Sequence, residues 1–249
     1  MTDILTYLYK FKALNLEQLS KLTSLDIKQI SSIMKALEKQ KLVEKVMHLS
    51  LMQTYYYLTK LGGQTLSPQA SIKITRVPKQ LDIFLDHRSK TNDFVIAYIN
   101  ILKLRDKDCD FSLDEHCYKI FNLNGVKYIN PDAQIIYKTH EKQIVVFLEL
   151  DRGTMELRNI KEKIIRYHKY LMSGEYKVYS DYLPLIAFVI DGGDARVASI
   201  TKLIKMYFTK NDITLGKGFL ITKFSNCLNF EDCEWNKIID DRFVHLPLD

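Results

Sequence analysis

The first 60 residues change hydrophobic period in a set order, and that order constrains the fold more than any other feature of the chain. Residues 3–12 place Ile4, Leu5, Leu8 and Phe11 on one side, the spacing of an amphipathic helix. Asn15 can cap a short second helix, LEQLSKLT, with Leu16, Leu19 and Leu22 turned inward. A break at Ser24-Leu25 precedes Asp26, which can cap a longer third helix whose Ile27, Ile30, Met34 and Leu37 recur every three or four residues. The opposite stripe of that helix carries Lys28, Ser32, Lys35 and Lys39, with Gln29 and Ser31 beside it. Two short strands follow, 42–46 and 54–58, and residues 47–53 suit the tip of a hairpin between them.

Helices followed by a hairpin give the order of a winged helix-turn-helix. The ending YYYLTKLGGQTL resembles winged-helix regulators, in which the second wing strand runs into a threonine-capped helical turn. A DNA-binding domain is therefore expected over roughly residues 1–75. Charge placement agrees. Residues 1–80 hold 12 Lys or Arg against 5 Asp or Glu, a net of +7, whereas the remaining chain holds 24 against 25, a net of −1. A basic head on a near-neutral body points to a polyanionic partner. On the third helix, lysines would neutralise phosphates while Gln29, Ser31 and Ser32 reach base edges in the major groove. The plainer alternative is a three-helix packing or dimerisation module, and winged helices also bind proteins. The tyrosines at 55–57 fit stacking on bases, but equally fit packing on the helices behind them.

With 249 residues, 47% of them hydrophobic, the chain can bury one large core or two smaller ones. No run approaches the roughly 20 apolar residues that span a bilayer, and charges interrupt the apolar residues of the N-terminus, unlike a secretory signal. Cys109, Cys117, Cys227 and Cys233 form no CxxC pair, which suits reduced thiols in the cytoplasm. Cys109, Cys117 and His116 are spaced for a strand rather than a metal-binding knuckle.

Residues 67–78, with Pro68 and Pro78, read as a connector, and a second domain is expected over 79–249. A helix is expected from Lys79 to about Lys107, with His87, Asn92 and Asp93 as polar residues in its middle. Strands are expected at 110–121, 127–137 and 143–151, then a helix over 155–172, an apolar strand at 185–190, a helix over 201–208 and a last strand at 218–222. This is a small α/β domain with a mixed sheet, α+β over the whole chain. The tail from Asn229 is expected to be irregular, anchored by Trp235. Asp191-Gly192-Gly193-Asp194 lacks the lysine and spacing of a phosphate loop and reads as an ordinary strand-to-helix turn.

Acidic residues give this domain its candidate chemistry. Asp132 follows Pro131 within the second expected strand, and Glu149 and Asp151 end the third. Strand positions i and i+2 share a face, so Glu149 and Asp151 point the same way. With Asp132 on a neighbouring strand, three carboxylates would converge and could bind magnesium, which activates water and stabilises a phosphodiester under attack. The plainer reading is a solvated strand end running into a turn.

Pro131-Asp132 followed by Glu149 resembles the PD-(D/E)xK nuclease superfamily, which implies a restriction-endonuclease-like α/β domain. More narrowly, a winged helix followed by PDA at 131–133, ELDRGT at 149–154 and KIIRY at 163–167 resembles the replication-relaxation family of plasmids and other mobile elements. The superfamily pattern implies a lysine at 151, where this chain has Asp151. Lys163, on the following helix, could project back and supply the missing charge, with Lys161 and Arg152 worse placed. The resemblance implies a DNA-binding protein acting in replication, relaxation or their control. The alternatives are a magnesium-dependent nickase using Asp132, Glu149, Asp151 and Lys163, or a regulator whose α/β domain binds a partner. Double-stranded DNA is the expected partner, and a homodimer is compatible with the sequence.

Overall fold

A computed structural model describes residues 2–49, 51–66, 82–139, 142–227 and 233–244. The chain divides into two compact units, Met1–Ile96 and Ala97–Asp249. Among the described residues no helix is long and apolar enough to cross a membrane.

In the first unit the helical periods form α1 (Thr2–Phe11), α2 (Leu16–Thr23) and α3 (Ile27–Lys39). Eight residues make a marginal helix in isolation, and α2 is held at both ends. Asn15 and Gln18 form a reciprocal capping box at its start, and Ser24 closes it in the left-handed region at φ 59°. Asp26 and Gln29 repeat the box at the start of α3. Each such cap contributes on the order of 1 kcal/mol. The expected hairpin is β2 (Val43–His48) and β3 (Gln53–Leu58), and the two-residue strand β1 (Leu14–Asn15) pairs with the far side of β3. Buried Leu8, Phe11, Leu19, Ile30, Met34 and Tyr55 line the interior beneath it. Tyr55 thus packs inward, while the Tyr57 hydroxyl donates to Glu44 on the surface. Thr59 then starts α4 (Lys60–Leu66), its hydroxyl oxygen accepting from the Gly62 N–H at 3.0 Å.

The connector expected around residues 67–78 lies outside the described residues, as does the Lys79 end of the following helix. That helix, α5 (Asp82–Leu104), contributes to both units. Its first half belongs with α1 to α4, and its polar residues explain why. Asn92 Nδ2 donates to the carbonyls of Phe11 (3.3 Å) and Ala13 (2.7 Å), and Gln18 Nε2 donates to Asp93 Oδ1 (2.9 Å). The Ser89 and Tyr55 hydroxyls share a hydrogen bond of 2.8 Å. Buried donors and acceptors must be paired, and these bonds join the α1–β1 corner to α5. Asn92 and Asp93 are therefore structural.

The second unit is a mixed sheet with helices packed on it. Its elements are β4 (Cys109–Leu113), β5 (Lys119–Asn122), β6 (Val126–Ile129), β7 (Ala133–Lys138), β8 (Gln143–Asp151), α6 (Leu157–Ser173), β9 (Leu185–Ile190), α7 (Asp194–Lys210), α8 (Ile213–Gly216), β10 (Phe219–Lys223), α9 (Phe224–Cys227), β11 (Trp235–Lys237) and β12 (Arg242–Val244). Seven strands order as β12-β11-β10-β9-β8-β7-β4, with β8, β9 and β10 parallel and the flanking pairs antiparallel. The central strand β9 is buried along nearly its whole length, consistent with its uninterrupted apolar sequence. Phe147, Ile160, Ile164, Tyr167, Phe188 and Phe208 belong to the core between the sheet and α6 and α7.

Three expectations are corrected. The strands expected at 110–121 and 127–137 are each broken in two. A 3-10 turn at Asp114–Cys117 starts with Asp114 at φ 49°, and Pro131, which has no N–H to give a ladder, separates β6 from β7. Pro131 and Asp132 therefore precede β7 rather than lying within a strand, and β5 and β6 form a hairpin of their own. The helix expected at Thr201 extends back to Asp194. The tail adds two antiparallel strands, β11 and β12, to the sheet edge, with Trp235 fully buried as its anchor. None of the four cysteines forms a disulfide, and Cys227 and Cys233 bring their sulfurs to 3.8 Å, a contact their spacing did not suggest.

Candidate functional site

The end of β8 collects the acidic residues by register. Ala133 pairs with Leu148, so the preceding residue, Asp132, stands opposite Glu149. The Asp132 N–H donates to Leu148 O at 2.9 Å, and its Oδ2 accepts from the Leu150 N–H at 2.8 Å. Val145 and Phe147 share the face of Glu149, and α6 packs on that face through Ile160 and Ile164. The same packing delivers Lys163 and Tyr167, one turn apart, onto the strand end.

Glu149 is 3% exposed and both its oxygens are engaged: Oε2 accepts from Lys163 Nζ, and Oε1 from the Tyr167 hydroxyl at 2.5 Å. Burial pushes its carboxyl pKa upward, against the pull of the Lys163 charge. For Lys163, burial alone lowers the pKa, but Glu149 and Asp132 outweigh it and hold the ammonium above its ordinary value. The lysine side chain is 26% exposed against 3% for its partner, so it is the outward member of the pair. A protonated ammonium fixed in this way is committed to Glu149 and cannot act as a base at neutral pH. Tyr167 was not singled out as a functional residue; its spacing four residues after Lys163 is the signal that points to it.

Asp151 emerges on the same strand face, also 3% exposed, but its partner is different. Arg196 on α7 grips it with two bonds, Nε to Oδ2 at 2.7 Å and Nη2 to Oδ1 at 3.0 Å, and also donates to Met155 O. The Asp191 N–H donates to the Asp151 carbonyl at 2.7 Å. Gly193 leads into α7, and Asp194 pairs with Lys223, as expected of a strand-to-helix turn.

A resident magnesium ion does not fit this arrangement. Both oxygens of Glu149 and both of Asp151 are taken by cations or hydroxyls of the chain itself, and Asp132 Oδ2 holds a backbone N–H. Among the described residues no group of three or more His, Cys, Asp or Glu is placed to hold a metal ion. The expected convergence of Asp132, Glu149 and Asp151 thus resolves into two separate ion pairs, because Lys163 of α6 neutralises Glu149 and Arg196 of α7 neutralises Asp151.

In the first unit, the α3 face carries Lys28, Ser32, Lys35 and Lys39 exposed, and Ser31 half-buried. Gln29 is exposed as well, but its side-chain oxygen accepts the Asp26 N–H, so only its amide nitrogen is left for a ligand. Lys28, Lys35 and Lys39 form no ion pair among the described residues, whereas Lys45 on the hairpin pairs with Glu38.

No curated protein and no solved structure matches the chain. A family model described as replication-relaxation matches residues 5–186, a span that contains α3, Asp132, the end of β8 and Lys163. With most of its length inside that match, the chain belongs to the replication-relaxation family, which ties it to the replication or relaxation of plasmids and other mobile elements.

Proposed function

We propose that this protein binds duplex DNA through its first unit, acting as a winged helix-turn-helix with α3 as recognition helix, during replication or relaxation of a mobile element. The observation that carries this reading is the row Lys28, Ser32, Lys35 and Lys39, exposed along one face of α3, with the lysines in no ion pair among the described residues. Lysines that already neutralise carboxylates have little to offer phosphates, and these do not. In the second unit, Lys163 already neutralises Glu149, so that pair anchors the end of β8 to α6 rather than gripping the DNA backbone.

A mobility-shift titration at increasing salt tests the reading. The wild-type protein should retard duplex DNA, with affinity falling steeply as salt rises. Replacing Lys28 and Lys35 together by alanine should lower the affinity and reduce the log–log salt slope by about 2, as each lysine lost removes about one phosphate contact. Salt-independent binding, or unchanged binding by the double variant, would sink the proposal.

A further inference from the structure

The hairpin β5–β6 alternates as a strand pair must: Phe121 and Ile129 enter the core beside α6, and the neighbouring Ile120 and Tyr128 face out. Its outward face is unusually apolar for a surface, with Ile120 63% and Val178 78% exposed nearby. Tyr118 and Tyr128 stack there with ring centroids 5.2 Å apart, and Arg166 of α6 stands 5.3 Å from the Tyr128 ring. Lys119 lies 4.6 Å over Tyr179, and Lys142 lies 5.2 Å over Tyr182.

Two open cavities run along the Lys119–Tyr179 and Lys142–Tyr182 pairs, with Tyr128 stacked on Tyr118 of the first. One of about 420 Å³ is lined by Tyr118, Lys119, Ile120, Val178 and Tyr179, with Tyr170 and the carboxylate of Glu175. The second, of about 270 Å³, shares Val178 and Tyr179 with the first and continues to Lys142, Lys177, Asp181 and Tyr182. The Tyr170 side chain is 1% exposed, and its hydroxyl is buried with no hydrogen-bond partner among the described residues. Such an orphaned donor at a cavity wall awaits an acceptor. The loop behind the groove is held in place: Ser180 Oγ donates to Gln143 O at 2.6 Å, and Gln143 Nε2 donates to Tyr179 O.

We infer that this groove binds unpaired DNA, with bases stacking on Tyr118–Tyr128 and on Tyr179 and Tyr182, and with Lys119, Lys142 and Arg166 meeting the phosphates between them. Rings interleaved with cations suit a single strand, because every base has a face to stack and every linkage carries a charge. A peptide would use the apolar surface but would give the paired cations no repeated anion. Arg166 lies three residues after Lys163 on α6. The inference rests on the reading that the protein acts on DNA and adds that one unit would engage duplex while the other takes a separated strand.

The test uses the full chain, a 15-nucleotide oligo-dT carrying one 2-aminopurine, and a duplex probe in parallel. Wild-type protein should bind the single strand and change the 2-aminopurine fluorescence as the base stacks. A Tyr118→Ala/Tyr128→Ala variant should bind it about tenfold or more weakly, with duplex affinity unchanged. Lys119→Glu, a charge reversal at the half-buried lysine over Tyr179, provides a second variant with the same expectation should the first misfold. The Lys28/Lys35 alanine variant should lose duplex binding and keep the single strand. Absent single-strand binding, or binding that neither groove variant weakens, overturns the inference whatever the duplex does, and leaves the groove as a docking face for protein. Loss of duplex binding in the wild type, with the single strand still bound, overturns the duplex reading and leaves this one standing.

Discussion

At the residue scale, the end of β8 shows how two buried carboxylates can persist on one strand. A charge taken out of water is tolerated only when paired and hydrogen-bonded, and Glu149 and Asp151 each meet that demand with a separate cation. Lys163→Met would leave Glu149 buried without its counter-charge. We expect a loss of about 3–5 kcal/mol in unfolding free energy, measured by urea denaturation, and recovery of part of it in the Glu149→Gln/Lys163→Met double variant. Unaltered stability in the single variant would show that the pair is not the anchor described. Lys163 was readable beside Glu149 through the resemblance to the PD-(D/E)xK superfamily, whose lysine is missing at 151, together with its place on the following helix. The fate of Asp151 was not readable, since Arg196 lies 45 residues away and only the packing of α7 brings the two together.

At the scale of elements, the local signals were sound wherever one residue type answers one backbone demand. Asn15 and Asp26 cap the helices expected of them, and the Thr59 turn closes the hairpin as its sequence implied. That turn carries a tight constraint: a methyl group at Gly62 would stand 2.1 Å from the Leu42 carbonyl oxygen. Gly62→Ala should therefore destabilise the protein by about 1–3 kcal/mol, the usual range for overpacking, seen as a lower thermal midpoint. An unchanged midpoint would mean that β2 and α4 can separate at little cost. The strands fared worse than the helices. A run of alternating residues continues through Asp114 and through Pro131, and hydrophobic period alone does not report a break that needs one positive φ or one missing N–H.

At the scale of the molecule, the uneven charge separates two tasks. The first 80 residues carry the net positive charge, and the near-neutral remainder holds its buried Glu149 and Asp151 in internal pairs. Supercoiled plasmid incubated with the protein and magnesium should stay supercoiled, because Glu149 and Asp151 are each already paired with a cation of the chain. Nicked circles that vanish with Glu149→Ala would establish the enzyme reading instead. Sequence by itself determined what depends on near neighbours: helix periods and caps, the hairpin, the basic row of α3, and the placement of Glu149 near a strand end. Those features follow from the local geometry of the backbone, which any few consecutive residues already encode. Only the tertiary structure decided which cation meets which carboxylate, where the two long strands break, which unit receives each half of α5, and that tyrosines and lysines on separate segments line one groove. Such pairings depend on residues tens of positions apart, and their energy exists only once the sheet and its helices have packed.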